Sequence, residues 1–137
     1  MHSTTYIGIN ILIIRDGRVL LGLRKNVYGA GTWGMPGGHL EQREKMIEAA
    51  ARELREETGL TAVNFVFENF LNQPQSVGGH RVQVMFSAKD VVGEPVLCEP
   101  NLCEEWRWFS LDNLPENIFP PHQEHFTLFC STRIFNE

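Results

Sequence analysis

The sequence predicts an α/β protein whose helices pack against a mixed β-sheet. Two apolar, β-branched runs at residues 6–15 and 18–24 are joined by Asp16 and Gly17, a dipeptide typical of tight β-hairpins. A glycine-rich stretch then leads into a helical pattern that ends at Gly59, a residue typical of left-handed helix caps. Further strand patterns and a last helical segment follow, and this alternation of strands and helices favours the α/β class.

The second half of the chain is predicted to complete the sheet and add a closing helix. Strands are predicted at residues 61–71, 81–91 and 104–109. The polar segment at residues 72–80 is either a loop beside a functional site or a simple hairpin connection. A proline-punctuated turn region precedes the closing helix, which is predicted at residues 122–135.

Two groups of residues in this half are candidates for chemistry. Alternation in the last strand places Glu104 on the same face as Trp106 and Trp108, which are predicted to pack in the core. Glu104 would then lie at the mouth of that face, and its neighbour in the sequence is a competing acid. His122 and His125 have the spacing of a metal pair, but no third ligand matches them, so we expect them to lie on a solvated helix face.

Length and composition predict one globular domain spanning residues 1–137. The chain has 42% hydrophobic and 21% charged residues and a formal net charge of -5 at pH 7. This acidic balance argues against a nucleic acid polymer as a partner. Cys98, Cys103 and Cys130 lack metal-ligand spacing and predict reduced thiols in a cytoplasmic protein. Neither a leader segment nor an apolar run that could span a bilayer is apparent, so no membrane partner is expected.

An acidic cluster is predicted near the end of the first helix. Glu53, Glu56 and Glu57 lie at i, i+3 and i+4, so their carboxylates share an arc of roughly 100°. A hard cation would offset their repulsion, and oxygen ligands favour Mg²⁺ or Mn²⁺. The alternative is a solvated helix face neutralised by Arg52 and Arg55. The apolar stripe predicted to hold the helix consists of Ile47, Ala50, Ala51, Leu54 and Thr58.

The residues around this cluster carry a longer pattern. Its fixed positions are Gly38, Glu44, Arg52, Glu53, Leu54, Glu56, Glu57, Gly59 and Leu60. The pattern resembles the box of the Nudix hydrolases, G-x5-E-x7-R-E-U-x-E-E-x-G-U with U aliphatic, at every specified position over residues 38–60. The similarity extends over most of the chain, and the segment GAGTWGMPGGHLE resembles the MutT-like branch of that family.

This resemblance implies a three-layer α/β/α sandwich and hydrolysis of a nucleoside diphosphate that is linked to a further group. It implies Mg²⁺, or alternatively Mn²⁺, as cofactor. The implied metal ligands are Gly37, through its carbonyl group, Glu53, Glu56 and Glu57. Arg52 would orient Glu53 or Glu56, and either Glu56 or Glu104 would take a proton from the attacking water. Glu44 is expected to be braced against Arg52.

Substrate contacts are expected from residues around the box. In MutT-like relatives a basic residue at the position of Arg24 reaches substrate phosphate, and a solvated strand-end charge is the equally weighted alternative. His39 is either a surface residue or a substrate contact, while Gly38 lets the backbone approach closely. Residues before the last helix line a nucleobase pocket in that branch. Ile118 and Phe119 are the candidates there, with simple helix docking as the alternative.

The resemblance favours a (deoxy)nucleoside triphosphate as substrate, cleaved to nucleoside monophosphate and pyrophosphate. An ADP-ribose or other nucleotide-sugar pyrophosphatase is the alternative, although Pro74 lies nearer the box than the proline that marks the ADP-ribose subfamily. A non-catalytic nucleotide-binding sensor is an alternative of another class, and the intact acids argue against it. The expected partner is a small nucleotide. Homodimers are common among relatives, and no feature of the sequence decides the oligomeric state.

Overall fold

The computed structural model describes residues 4–136 and confirms an α/β fold with a mixed sheet. The strands are β1 (Thr5–Arg15), β2 (Arg18–Arg24), β3 (Trp33–Gly34), β4 (Gly37–His39), β5 (Thr61–Gln73), β6 (His80–Val92), β7 (Cys103–Ser110) and β8 (Phe135–Asn136). The helices are α1 (Met46–Thr58) and α2 (Pro120–Cys130). Among these described residues, neither helix is long and apolar enough to cross a membrane.

The sheet is organised around β1, which pairs with two different strands along one of its edges. We call the opening between these two partner strands the fork. Its strand order is β3-β2-β1-β6-β5-β8, with β7 paired to β2 and β4 paired to β1. Residues 8–10 of β1 pair with β4, whereas residues 14 and 15 pair with β2 across a hairpin at Asp16 and Gly17. The backbone N–H of Ile11 donates to the Pro36 carbonyl at 2.9 Å, so the loop between β3 and β4 fills the fork. The fork therefore places this loop beside the end of α1.

The two faces of β1 are both buried, as predicted, and each faces a different helix. Ile9, Ile11 and Ile13 lie in one apolar cluster with Leu54 of α1, among other residues. Leu12 lies in the other cluster, which contains Met85 and, from α2, Phe126. Alternate side chains of a strand point to opposite faces of the sheet, so these two clusters form the two inner layers of an α/β/α sandwich.

Helix α1 begins where Lys45 N–H bonds to the Glu48 carboxylate at 2.9 Å. It ends at Gly59, whose φ of 74° and N–H bond to the Arg55 carbonyl confirm the predicted left-handed cap. The predicted apolar stripe is wrong in one residue, because Ile47 is 51% exposed and Ala49 is buried instead. Ile47 lies on the same side of the helix as Leu54. It is exposed because it lies in the first turn, before the buried residues begin.

The last helix is shorter than predicted. Proline occupies its first turn, where no N–H is needed, and the helix ends at Cys130 rather than at Phe135. The chain then turns through Thr132, which has a φ of 55°, and β8 pairs in parallel with β5. The Phe135 ring stacks on Phe70 at 5.6 Å. A strand of two residues is too short to produce a periodic pattern, which explains why it was not predicted.

The alternation predicted for residues 104–109 is interrupted by a β-bulge. Arg24 pairs with Cys103 and Gly22 pairs with Trp106, so β7 has one more residue than β2 between these pairs. A Cβ atom at Gly22 would approach both Cys103 and Trp106 side chains, which places these two on one face. Trp106 and Trp108 pack against the α1-side cluster, which confirms their prediction as core residues.

Candidate active site

Arg52 lies at the centre of the acidic residues at the end of α1. Its Nε and Nη2 atoms donate to the two carboxylate oxygens of Glu44 at 2.7 and 3.0 Å. Its Nη1 atom donates to Glu53 at 2.7 Å and to Glu56 at 3.4 Å. A further bond from Nη2 to the His39 carbonyl at 3.1 Å attaches the arginine to β4. Hydrogen bonds from the guanidinium lower the pKa of Glu44, and the expected bracing of Arg52 by Glu44 is present.

The glycine-rich loop contacts the acids directly. Gly37 N–H donates to Glu57 Oε2 at 2.8 Å, and a Cβ atom at Gly38 would overlap the Glu53 carboxylate. Only glycine therefore fits at position 38 without displacing Glu53. Burial, followed by the nearby Glu53 carboxylate, raises the pKa of Glu57 well above its usual value.

Glu99, in the segment before β7, is the downstream acid that interacts with this cluster. Partial burial and the charges of Glu53 and Glu56 raise the pKa of Glu99. The segment is anchored to the end of α1 because Val96 N–H donates to the Thr58 carbonyl at 2.8 Å. Glu104 lies in the β-bulge with an exposed side chain, and its suggested role stays a prediction. We call Glu53, Glu56, Glu57 and Glu99 the carboxylate cluster.

The carboxylate cluster has the chemistry of a hard-cation site. All its side-chain donors are oxygens, and burial followed by the nearby Glu53 carboxylate raises the pKa of Glu57, so a cation at this point would stabilise the ionised form. Within residues 4–136, no three acidic, histidine or cysteine side chains are spaced to hold one ion as they lie. Arg52 draws Glu53 and Glu56 towards itself, so side-chain rotation would be needed for these carboxylates to converge on a metal.

A cavity of about 660 Å³ extends from Glu57 to the start of α2. This volume lies within the usual range for small-molecule sites. One wall includes Arg24, Tyr28 and Phe119, and the other includes His39, Arg81 and the loop between β5 and β6. Residues that line the cavity between these walls are Gly8, Asn10, Gln73, Gln83 and His122.

The structure brings two predicted substrate contacts, Arg24 and Phe119, together on one wall. The Arg24 guanidinium lies 4.0 Å from the centre of the Phe119 ring and donates to the Tyr28 carbonyl at 2.8 and 3.1 Å. Burial lowers the pKa of Arg24, while the charge of Glu57 raises it. An arginine remains protonated at neutral pH, so this wall carries a positive charge facing the cavity.

His39 is held in a three-residue stack on the opposite wall. Its ring stacks on Tyr6 with centroids 5.3 Å apart, and the Arg81 guanidinium lies 4.9 Å from the Tyr6 ring centre. Arg81 Nη1 lies 3.1 Å from His39 Nε2, and the arginine must be the donor because it has no acceptor atom. Arg81 is thus a second cation at the cavity, and nothing in the sequence pattern distinguished it from an ordinary strand residue.

The prediction that His122 and His125 face solvent is wrong. Their exposed fractions are 3% and 0%, and both are hydrogen-bonded to Asn10 beneath the cavity. Burial lowers the pKa of His122 well below its usual value, with His125 as the next cause. Burial also lowers the pKa of His125 to about 3. Asn10, inside the apolar strand β1, was the sequence signal for a buried polar partner.

These depressed pKa values predict that acid destabilises the protein. Below pH 6.5 the unfolded state binds protons that the buried His125 does not, so the free energy of unfolding falls as pH decreases from 6.5 towards 3. Each buried histidine contributes about 1.4 kcal/mol per pH unit in this window. His125→Gln should remove the contribution of this histidine to the slope of the free energy of unfolding against pH. Urea unfolding without divalent metal measures that slope. A difference between the two proteins that is constant from pH 7 to 5 would contradict this account.

Comparison with known proteins identifies relatives along nearly the whole chain. The family model described as NUDIX domain matches residues 5–129. The oxidized purine nucleoside triphosphate hydrolase of Mus musculus is 32% identical over 139 residues, covering 97% of this chain and 85% of the relative. The ADP-ribose pyrophosphatase of Methanocaldococcus jannaschii is 32% identical over 114 residues, covering 82% of this chain and 66% of the relative.

The fold agrees with these sequence relatives. The crystal structure of a MutT NUDIX hydrolase from Burkholderia pseudomallei superimposes with a TM-score of 0.85 and 32% identity. The match covers 90% of this chain and 97% of that chain. Both the sheet order and the position of the two helices described above therefore belong to a known architecture.

Proposed function

The chain belongs to the NUDIX family and is a pyrophosphohydrolase acting on phosphoric anhydride bonds, and we propose that it cleaves nucleoside triphosphates to nucleoside monophosphates and pyrophosphate with a divalent metal. The observation that carries the proposal is the continuity between the carboxylate cluster and the cavity. Gly37, Gly38 and Glu57 line the end of the cavity at which the cluster lies. A nucleotide seated there would have its phosphates beside the acids.

The carboxylate cluster is proposed to bind the metal and to move a proton. Glu53, Glu56, Glu57 and the Gly37 carbonyl would hold Mg²⁺ or Mn²⁺, which when bound neutralises phosphate oxygens and lowers the pKa of water. Arg52 would orient Glu53 or Glu56 through the hydrogen bonds described above, and metal binding would require these carboxylates to rotate from their present contacts. Glu56 is the proposed general base, and Glu104 is the alternative that the resemblance also implies. Glu99 joins them as a candidate because partial burial, followed by the charges of Glu53 and Glu56, raises its pKa.

The cationic walls of the cavity are proposed to bind the rest of the nucleotide. Arg24 would offset substrate phosphate charge, and His39 and Phe119 would contact the nucleoside. These contacts matter because the chain has a formal net charge of -5, which repels a polyanion at long range. Positive charge placed locally, together with the metal, allows an acidic protein to bind a triphosphate.

The extent of sequence similarity to the two relatives favours a nucleoside triphosphate over ADP-ribose as the substrate. The mouse relative, named for oxidized purine nucleoside triphosphates, matches 97% of this chain, whereas the archaeal ADP-ribose pyrophosphatase matches 82%. The segments outside the box, which form the cavity walls, are where substrate choice would reside. ADP-ribose hydrolysis is kept as the second candidate because the archaeal relative has the same identity, 32%, over its matched length.

Product analysis tests this proposal. The protein is incubated with Mg²⁺ and, separately, with canonical and oxidised nucleoside triphosphates and ADP-ribose, and the products are separated by ion-exchange chromatography. We expect monophosphate and pyrophosphate in equal amounts from a triphosphate. Release of AMP from ADP-ribose alone would favour the second candidate. Tight nucleotide binding without turnover of any compound would instead indicate a sensor.

A further inference from the structure

A chain of buried hydrogen bonds beneath the cavity has a defined direction, and it starts at the backbone. Met35 N–H donates to His122 Nδ1 at 2.9 Å. A backbone amide can only donate, so Nδ1 is the acceptor and the proton of this neutral imidazole lies on Nε2. His122 Nε2 lies 3.2 Å from Asn10 Oδ1 and therefore donates to it. This bond sets the orientation of the Asn10 amide, because the reverse orientation would bring two donors together.

The Asn10 amide group then orients two further side chains. Its Nδ2 atom donates to Gln83 Oε1 at 3.1 Å and lies 3.1 Å from His125 Nε2, which must accept. The His125 proton consequently lies on Nδ1, 2.7 Å from Asn69 Oδ1. The Asn69 amide nitrogen returns a bond to the His125 carbonyl at 3.2 Å. Every hydrogen bond in this network joins a donor to an acceptor, so each orientation supports the others.

The network leaves the amide nitrogen of Gln83 available to a ligand in the cavity. Because its Oε1 atom accepts from Asn10, its amide nitrogen, Nε2, is the end that remains for the cavity. Gln83 is only 9% exposed and lines the cavity, and no group among residues 4–136 accepts a hydrogen bond from its Nε2 atom. A donor without a protein acceptor at the wall of the cavity favours a ligand that supplies an acceptor.

Gln73 offers a second amide beside Gln83 but without a fixed orientation. Strands β5 and β6 pair Leu71 with Gln83 and Gln73 with Arg81, so the two glutamines are diagonal neighbours. Gln73 Oε1 is buried and has no hydrogen-bond partner among the described residues. Because this oxygen is shielded from solvent, it can accept from a ligand N–H only after the amide flips or the side chain rotates towards the cavity, whereas the opposite orientation donates to a ring nitrogen.

We propose that Gln83 makes the cavity select nucleobases with a lactam edge, a ring carbonyl next to an N–H, over bases with an amino group next to an unprotonated ring nitrogen. The inference rests on the proposed function, since it requires the base to lie in this cavity. Gln83 Nε2–H would donate to the base carbonyl, and Gln73 Oε1 would accept the adjacent N–H. An amino group would instead face Gln83 donor to donor. Gln73 adapts to either edge, so Gln83 alone discriminates between them.

The test compares IMP with AMP, which differ in the purine ring only by the lactam and the amino edge. Binding is measured by isothermal titration calorimetry without divalent metal, so the result does not depend on turnover. We expect IMP to bind about 10-fold to 100-fold more tightly, which is the range for leaving a buried polar group unpaired. Equal affinity, or tighter binding of AMP, would overturn the proposal.

Two variants with the same charge change separate discrimination from general effects. Gln83→Glu keeps an oxygen for Asn10 but presents an acceptor to the ligand, so the preference should shift from IMP to AMP. Gln75→Glu is the matched control in the exposed loop that lines the same cavity, and it should retain the preference for IMP. If Gln83→Glu does not fold, Gln83→Met should bring the IMP and AMP affinities to within about 3-fold of each other. A preference unchanged in whichever Gln83 variant folds would contradict the assignment.

Failure of this inference can be distinguished from failure of the proposed function. If triphosphates are cleaved to monophosphate and pyrophosphate but IMP and AMP bind equally, the function stands and Gln83 does not select the base. If neither monophosphate binds while ADP-ribose is hydrolysed, the triphosphate proposal and the base assignment both fail.

Discussion

Replacing Glu56 by glutamine is expected to lower kcat by about 10³-fold while the fold is retained. The change removes one ionised oxygen donor from the carboxylate cluster and one proposed proton acceptor. The Glu56 side chain is 52% exposed, and its contact with Arg52 at 3.4 Å is the longest among the hydrogen bonds made by that arginine. Loss of this hydrogen bond should therefore change the free energy of unfolding very little. Steady-state kinetics with Mg²⁺ and thermal unfolding measure the two effects separately.

The control for this variant is Glu48→Gln on the same helix. Glu48 lies in the first turn of α1, where its carboxylate accepts a bond from Lys45 N–H at 2.9 Å. Glutamine retains an oxygen that can accept this bond, so near-normal kcat and stability are expected. A fully active Glu56→Gln protein would exclude Glu56 as both a required metal ligand and the general base.

Replacing Arg52 by methionine should reduce both stability and activity. The Arg52 side chain is 18% exposed, and its carboxylate partners Glu44 and Glu53 are 12% and 13% exposed. Removing the guanidinium leaves these partly buried carboxylates unpaired, which costs about 3–5 kcal/mol in comparable buried pairs. Loss of the positions of Glu53 and Glu56 should also lower kcat by about 10²-fold. Urea unfolding without divalent metal measures the first effect, and steady-state kinetics the second.

Arg55→Met provides the matched control for Arg52. Arg55 lies in the same helix and its side chain is exposed, so the expected change in the free energy of unfolding is within about 0.5 kcal/mol. Divalent metal should restore part of the stability lost in Arg52→Met, because a cation would neutralise the same carboxylates. Wild-type stability in Arg52→Met would show that the arginine does not hold the cluster together.

Local patterns were sufficient to predict β1, β2 and the end of α1, but not the short strands β3 and β4 in the glycine-rich stretch. The hairpin at Asp16 and Gly17, the end of α1 at Gly59 and the contact between Glu44 and Arg52 all depend on residues close in sequence or on one helix. Such features follow from turn chemistry, helix capping and helical spacing. The family box also carries this information, which explains why the acidic residues of α1 were identified together.

Features that depend on distant contacts were not predictable in the same way. Glu99 reaches the carboxylate cluster because its segment is attached to the end of α1, and no sequence spacing encodes that attachment. The bulge in β7 arises from pairing with β2, so simple alternation from Trp106 does not determine which face Glu104 occupies. The buried histidines of α2 looked solvated because their shared partner, Asn10, lies more than 100 residues away along the chain.

Binding of Mn²⁺ tests the central claim that the carboxylate cluster is a divalent metal site. The signal of free aqueous Mn²⁺ in electron paramagnetic resonance decreases when the ion binds, so a titration gives both stoichiometry and affinity without substrate. We predict at least one bound Mn²⁺ per chain in the wild-type protein, with affinity at least 10-fold weaker in Glu56→Gln and unchanged in Glu48→Gln. Absence of binding at millimolar Mn²⁺, or equal affinity in all three proteins, would contradict the account.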